Sequence, residues 1–126
     1  MRVTVFGASG LLGQDLVHEL RGHEVTALSS GDADLRDQAR IREVIVESLP
    51  EWIILSAAYT DVDGCESNRD LAFAVNCGGA VNMALAAREA GSRLMFLSSD
   101  YVFDGSKRLP YVASDSRNPA SVYGAS

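Results

Sequence analysis

The sequence predicts an α/β domain, a doubly wound parallel sheet with helices on both faces. Three observations lead to it. Short β-branched runs alternate with stretches of helical period along the chain. The runs are continuously apolar rather than alternating, as in strands covered on both faces. A glycine-rich turn joins the first run to the first helix. The order βαβαβαβ with right-handed crossovers gives an expected strand order of 3-2-1-4, an incomplete form of a larger sheet.

Each element has its own signal. "RVTVF" (2–6) is the first strand. From Leu12, the positions Leu12, Leu16, Val17 and Leu20 form one helical stripe. "EVTAL" (24–28) is the second strand. Asp37 is placed to cap a helix over 38–48, with Ile41, Val44, Ile45 and Leu49 as its apolar stripe. Pro50 stops that helix, and "WIILS" (52–56) follows as the third strand. An alanine-rich helix is expected over 67–90, broken near "NCGGA" (76–80), and then "RLMFLSS" (93–99) as the fourth strand. After Ser99 the periodicity dissolves into a segment of roughly 20 residues, a length of loop that is usually functional or disordered.

Composition narrows the class. Hydrophobic residues make up 47% and charged residues 22%, with a formal net charge of −6. Only Lys107 and Arg108 are adjacent cations, so a nucleic-acid binder is not expected. No apolar run approaches the ~20 residues that span a bilayer, and "MRVTVFG" has no cleavable leader pattern. Cys65 and Cys77 form neither a disulfide framework nor a metal-binding pair. No metal is expected, and the cytoplasm is the expected compartment. His18 and His23 read as surface residues. Asp61, Asp63 and Glu66 read as a helix cap and solvated surface rather than metal ligands.

The chemical signal begins at "FGASGLLG". Gly7, Gly10 and Gly13 lie between the first strand and first helix, the context in which such glycines bind a dinucleotide. The first permits a tight turn and the second a close backbone approach to a pyrophosphate. The third lets the helix pack on the sheet with its N-terminus facing the phosphates. The three-residue spacing points, within Rossmann folds, to extended short-chain dehydrogenase/reductases. Where a carboxylate would grip the adenosine ribose, the second strand ends in Ser29 and Ser30. Serines do not repel a 2′-phosphate, which tilts the expected cofactor from NAD toward NADP, and no neighbouring arginine stands out.

Four further segments carry a specific resemblance: "PEWIILSAAYTDVDGCE" (50–66), "AVNCGGA" (74–80), "FLSSDYVFDG" (96–105) and "NPASVYGAS" (118–126). In order, over essentially the whole chain, they resemble the dTDP-4-dehydrorhamnose reductases. The resemblance implies an NAD(P)H-dependent oxidoreductase that reduces the 4-keto group of a dTDP-linked 6-deoxyhexulose, in dTDP-L-rhamnose biosynthesis. It implies that Gly10, Leu11 and Leu12 cover the pyrophosphate and that Asp34 and Leu35 lie beside the adenine. It places Ala57, Ala58 and Tyr59 along the cofactor, Asp100 and Tyr101 near the sugar, and Ser99 and Tyr123 as catalytic residues. Ser56 stands where relatives often carry asparagine.

The chemistry asks for such groups. Hydride addition to a ketone builds negative charge on its oxygen, which a hydroxyl such as that of Ser99 stabilises. Tyr123 would deliver the proton, and a free phenol, with a pKa near ~10, needs a neighbouring charge to do so efficiently. The family's motif supplies it from a lysine four residues on, whereas the chain ends at Ser126. The expectation is a cofactor-binding domain over 1–126, cut before that lysine, without its substrate domain and inactive as it stands. The fourth strand should then be an exposed apolar edge, prone to homodimerisation, edge pairing or domain swapping, or else followed by a disordered tail. Two other readings belong to different classes. One is a non-catalytic binding module resembling the regulatory subunit of methionine adenosyltransferase. The other is a nucleotide-sugar epimerase or dehydratase, against which "SSDYVFDG" weighs.

Overall fold

The sheet is built around β1 (Arg2–Phe6). The computed structural model describes all 126 residues, and Val3, Thr4, Val5 and Phe6 are all buried. A strand buried on both faces needs a neighbour on each edge and helices above and below. β1 has parallel partners in β2 (Glu24–Leu28) and β3 (Trp52–Leu55), with Val3 opposite both Val25 and Trp52. β4 (Arg93–Phe96) adds in parallel to β3, so the order is β2-β1-β3-β4.

The doubly wound parallel class is therefore as expected, but the expected order 3-2-1-4 is wrong for these strands. That order puts the third strand outside β2, at or near an edge. "WIIL" buries Ile53, Ile54 and Leu55, whereas β2 leaves Glu24 and Ala27 exposed. Burial decides the matter: the more apolar run takes the interior place, and the crossover between β2 and β3 carries the chain back past β1. The direction change between β2 and β3 thus falls at β1, and the carboxyl end of β1 becomes the switch point where such sheets bind ligands.

Two layers cover the sheet. On one face α1 (Leu11–Glu19) places Leu16 and Val17, with Leu20 just beyond it, against Val3, Val5 and Ile54. On the other face α2 (Gln38–Ser48) and α5 (Gly79–Ala90) pack Ile41, Val44, Ile45, Met83, Ala86 and Ala87 against Phe6, Ile53 and Leu55. Asp37 caps α2 as expected, accepting from the Arg40 N–H at 3.0 Å. Two positions leave their expected stripes. Leu12 is exposed at the mouth of the glycine turn. Leu49 is exposed because it takes the left-handed conformation (φ 42°) at the end of α2. The following Pro50 disfavours a right-handed helical residue there.

The helix expected over 67–90 is preceded by α3 (Val62–Ser67) and starts as α4 (Arg69–Ala72). It then widens into a π-helical stretch over Phe73–Gly78 before continuing as α5. Polar and charged residues interrupt Arg69–Ala90, but it is long enough, and holds an 18-residue window apolar enough (mean hydropathy 1.3), to match a bilayer-crossing helix by length and composition. Its buried residues serve the core instead: Ala72, Gly79, Met83, Ala86 and Ala87.

β4 is the open edge, with Met95 and Phe96 exposed and Leu97 exposed beyond it. The segment after it is a loop with its own hydrogen-bonding centre. Asp104 accepts from the Ser106 N–H, the Tyr111 hydroxyl and the Asn118 amide at 2.9, 2.9 and 2.8 Å. These donors, the Ser106 N–H foremost, hold its carboxyl well below the usual carboxylate range. Phe103 stacks on Tyr111 at 4.3 Å. The loop delivers the chain to the single-turn helix α6 (Val122–Ala125).

The turn that begins the site is set by two glycines. Gly7 has φ 90°, and a side chain there would meet the Ala57 backbone nitrogen at 2.6 Å. A side chain on Gly13 would overlap the Gly7 carbonyl oxygen and stand 2.7 Å from its carbon. Replacing Gly13 with alanine should therefore lower stability by about 2 to 4 kcal/mol in denaturant unfolding. Leu49→Asn should act oppositely, raising stability by about 0.5 to 1 kcal/mol, since asparagine tolerates the left-handed region.

Candidate functional site

The carboxyl ends of the four strands open into two adjoining cavities. The larger, about 400 Å³, lies between the turn after β3 (Leu55–Ala58), the residues Phe96–Ser99 and the end of the chain from Tyr123 to Ser126. The smaller, about 260 Å³, lies beyond β2 and is lined by Gly7, Ser29, Ser30, Asp34, Leu35 and Arg36 among others. Ala57 and Ala58 line both, so one small-residue turn forms their common wall.

The residues singled out from the sequence are distributed unevenly over these cavities. Gly7, Ser29, Asp34, Leu35, Ala57, Ala58 and Tyr59 come together around the smaller one. Ser99 and Tyr123 meet Ala57 and Ala58 in the larger. Asp100 and Tyr101 stand outside its lining, but the Tyr101 ring packs edge-on against Tyr123 at 5.4 Å. Gly10, Leu11 and Leu12 line neither cavity and lie exposed at the start of α1. No side chain caps that helix start, so its first-turn N–H groups have no side-chain acceptor.

Several groups that hold the site together are not among the expected site residues. Asn76, in the π-helical stretch, accepts from the Tyr59 N–H at 2.8 Å. Its amide donates to the Tyr59 carbonyl at 3.1 Å and to the Ser126 hydroxyl at 2.9 Å. It thereby ties the turn after β3 to α6. The Val122 N–H at the start of α6 donates to Glu66 at 2.8 Å, and the Gly124 N–H donates to Ser121. Asp61, expected as a cap, accepts from the Gly64 N–H at 2.9 Å. Ser56 uses its hydroxyl on the Phe6 carbonyl at 2.8 Å, fastening β3 to the end of β1.

Charge is concentrated beyond β2. Arg36, which did not stand out in the sequence, places its guanidinium across both oxygens of Asp34. Those hydrogen bonds hold the Asp34 carboxyl down to about 2. Its position two residues after Asp34 was the available signal. Ser99 is itself held: its hydroxyl oxygen accepts from the Tyr101 N–H at 3.2 Å and opens a short 3₁₀ turn, Asp100–Val102. His18 and His23 are exposed, away from both cavities.

A family model described as "RmlD substrate binding domain" matches residues 1–126. Among curated proteins, a dTDP-4-dehydrorhamnose reductase of Streptomyces griseus is 44% identical over 98% of this chain and 41% of its own length. A dTDP-4-keto-6-deoxy-D-glucose reductase of Streptomyces niveus is 41% identical over 98% of this chain and 43% of its own. Among solved structures, the dTDP-4-dehydrorhamnose reductase of Bacillus anthracis in complex with NADP superposes with a TM-score of 0.95. It is 36% identical and covers 98% of this chain and 45% of that one. The Thermus thermophilus UDP-glucose 4-epimerase in complex with NAD gives 0.90 at 27% identity, over 99% and 47%. The chain thus spans less than half the length of these relatives. Because the family model matches every residue, the chain belongs to the family described as the RmlD substrate binding domain.

Proposed function

We propose that this chain is the nicotinamide-dinucleotide-binding part of a reductase that acts on the 4-keto group of a dTDP-linked 6-deoxyhexulose. The observation that carries the reading is the wall shared by the two cavities. It sets Gly7 and Asp34 on one side and Ser99 and Tyr123 on the other, along one cleft. The residues present suit such a cofactor. A Cβ at Gly7 would close the turn against Ala57, and the uncapped N-terminus of α1 offers N–H groups to a pyrophosphate. Gly7, Gly10, Leu11, Leu12 and Gly13 would hold the pyrophosphate, Ser29, Asp34 and Leu35 the adenosine end, and Ala57, Ala58 and Tyr59 the length between.

A nicotinamide cofactor supplies hydride. The chain's own residues do the rest: the Ser99 hydroxyl donates to the oxygen that gains charge, and Tyr123 delivers the proton. Tyr101, packed on Tyr123, keeps that ring oriented and, with Asp100, stands next to where the sugar would lie. NADP is favoured over NAD, because Ser29 and Ser30 replace a ribose-binding carboxylate and Arg36 lies on the same rim. Two relatives named as reductases of dTDP sugars, and one solved with NADP, support the substrate class and the cofactor. A cytoplasmic setting fits Cys65 and Cys77, both unpaired. Self-association through the exposed edge of β4 belongs to the same reading.

Fluorescence titration with NADPH and NADH is the direct test: saturable binding is expected for both, tighter for NADPH, and no binding of either would refute the reading. Light scattering across a concentration series should give a mass above that of one chain. A single-chain mass throughout would remove the edge-pairing part.

A further inference from the structure

Ser29 ends the approach of β2 to the smaller cavity with two donors aimed at one point. Its backbone N–H and its hydroxyl both donate to the same oxygen, Oδ2 of Asp32, at 2.8 and 2.6 Å. A convergent N–H and O–H at a strand end is what a phosphate oxygen would use, and here a carboxylate of the same chain occupies it. Across the rim, the guanidinium of Arg36 is similarly engaged by Asp34. Ser29 and Arg36 both line the cavity, and each already has an internal anion.

The turn alone does not account for the charge on Asp32. The Asp32 and Ala33 N–H groups donate to the Ser29 carbonyl at 3.1 and 3.2 Å, closing the turn through the backbone. What the Ser29 N–H needs from residue 32 is an acceptor oxygen, which a neutral side chain also offers. The hydroxyl and N–H of Ser29, with the charge of Arg40, hold the Asp32 carboxyl below its ordinary range, so it is ionised at neutral pH.

We propose that Asp32 is a specificity-determining residue: its carboxylate, seated on Ser29, weakens binding of a dinucleotide whose adenosine ribose carries a 2′-phosphate and leaves one with a 2′-hydroxyl unaffected. This rests on the dinucleotide reading above, in which the ribose lies at the end of β2. A 2′-phosphate there must either displace Asp32 from Ser29 or lie beside it as a second anion. Both alternatives cost affinity, and a neutral ribose meets neither. The residue therefore moderates the NADP preference that Ser29, Ser30 and Arg36 favour.

The test is a titration of the wild-type chain, Asp32→Asn and Asp32→Ser with NADPH and NADH, each variant checked for a native melting transition. The ratio of NADPH to NADH affinity should rise roughly five- to tenfold in both variants, with NADH affinity changed less than about twofold. An unchanged ratio in folded variants, or an equal loss of both cofactors, makes Asp32 a turn residue and overturns the proposal while leaving the dinucleotide reading intact. A wild-type chain that binds neither cofactor overturns that reading and this inference together.

Discussion

Three backbone segments meet at the head of β1 with no side chain between them. Gly7 lies against Ala57 at the end of β3, and Gly13 lies against Gly7 from the first turn of α1. Much of the functional geometry depends on this close approach. It draws the start of α1 down to the sheet, where no side chain caps its first N–H groups. It also sets the position of Ala57 and Ala58, which divide the cleft into its two cavities. A methyl group at either glycine would separate these segments, and the wall would move with them.

Hydrogen bonding then carries that order outward. Asn76 grips both backbone groups of Tyr59 and reaches Ser126, while Glu66 holds the first N–H of α6. Tyr123 is therefore positioned from two helices remote in sequence, and Tyr101 packs on its ring from the loop after β4. Several acids behind the net charge of −6 are engaged in the same way. Asp32, Asp37, Asp61 and Asp104 each accept from a backbone N–H, and Asp34 accepts from Arg36. Burial raises the Cys65 thiol, helped by Asp61 and Glu66 nearby, which suits a packing role. An acidic composition here reflects local capping as much as any ligand.

Much of the fold was legible because burial on both faces leaves a strong mark on strands. β1 and β2 occupy the expected 2–6 and 24–28, and α2 the expected 38–48. Patterning says less about order, since adjacency in a sheet is a property of the whole set of strands. "WIIL" was visible as a strand, but its place inside β2-β1-β3-β4 follows from how much of it must be covered relative to β2. Leu12 and Leu49 show the limit of a helical stripe: both have the right spacing, and each sits at a helix end where the chain turns away from the core.

By itself, the sequence determined the fold class, the glycine turn, the family resemblance and which residue types stand at the positions that resemblance singles out. These are encoded in residue type and local spacing. Only the tertiary structure decided which groups share a cavity, that Asn76 and Glu66 support Tyr123, and that Asp32 occupies the donors of Ser29 while Arg36 faces Asp34. The reason is physical: a hydrogen bond or ion pair depends on position to within a fraction of an ångström. Strand order and helix packing set those positions, and nearest neighbours in the chain do not.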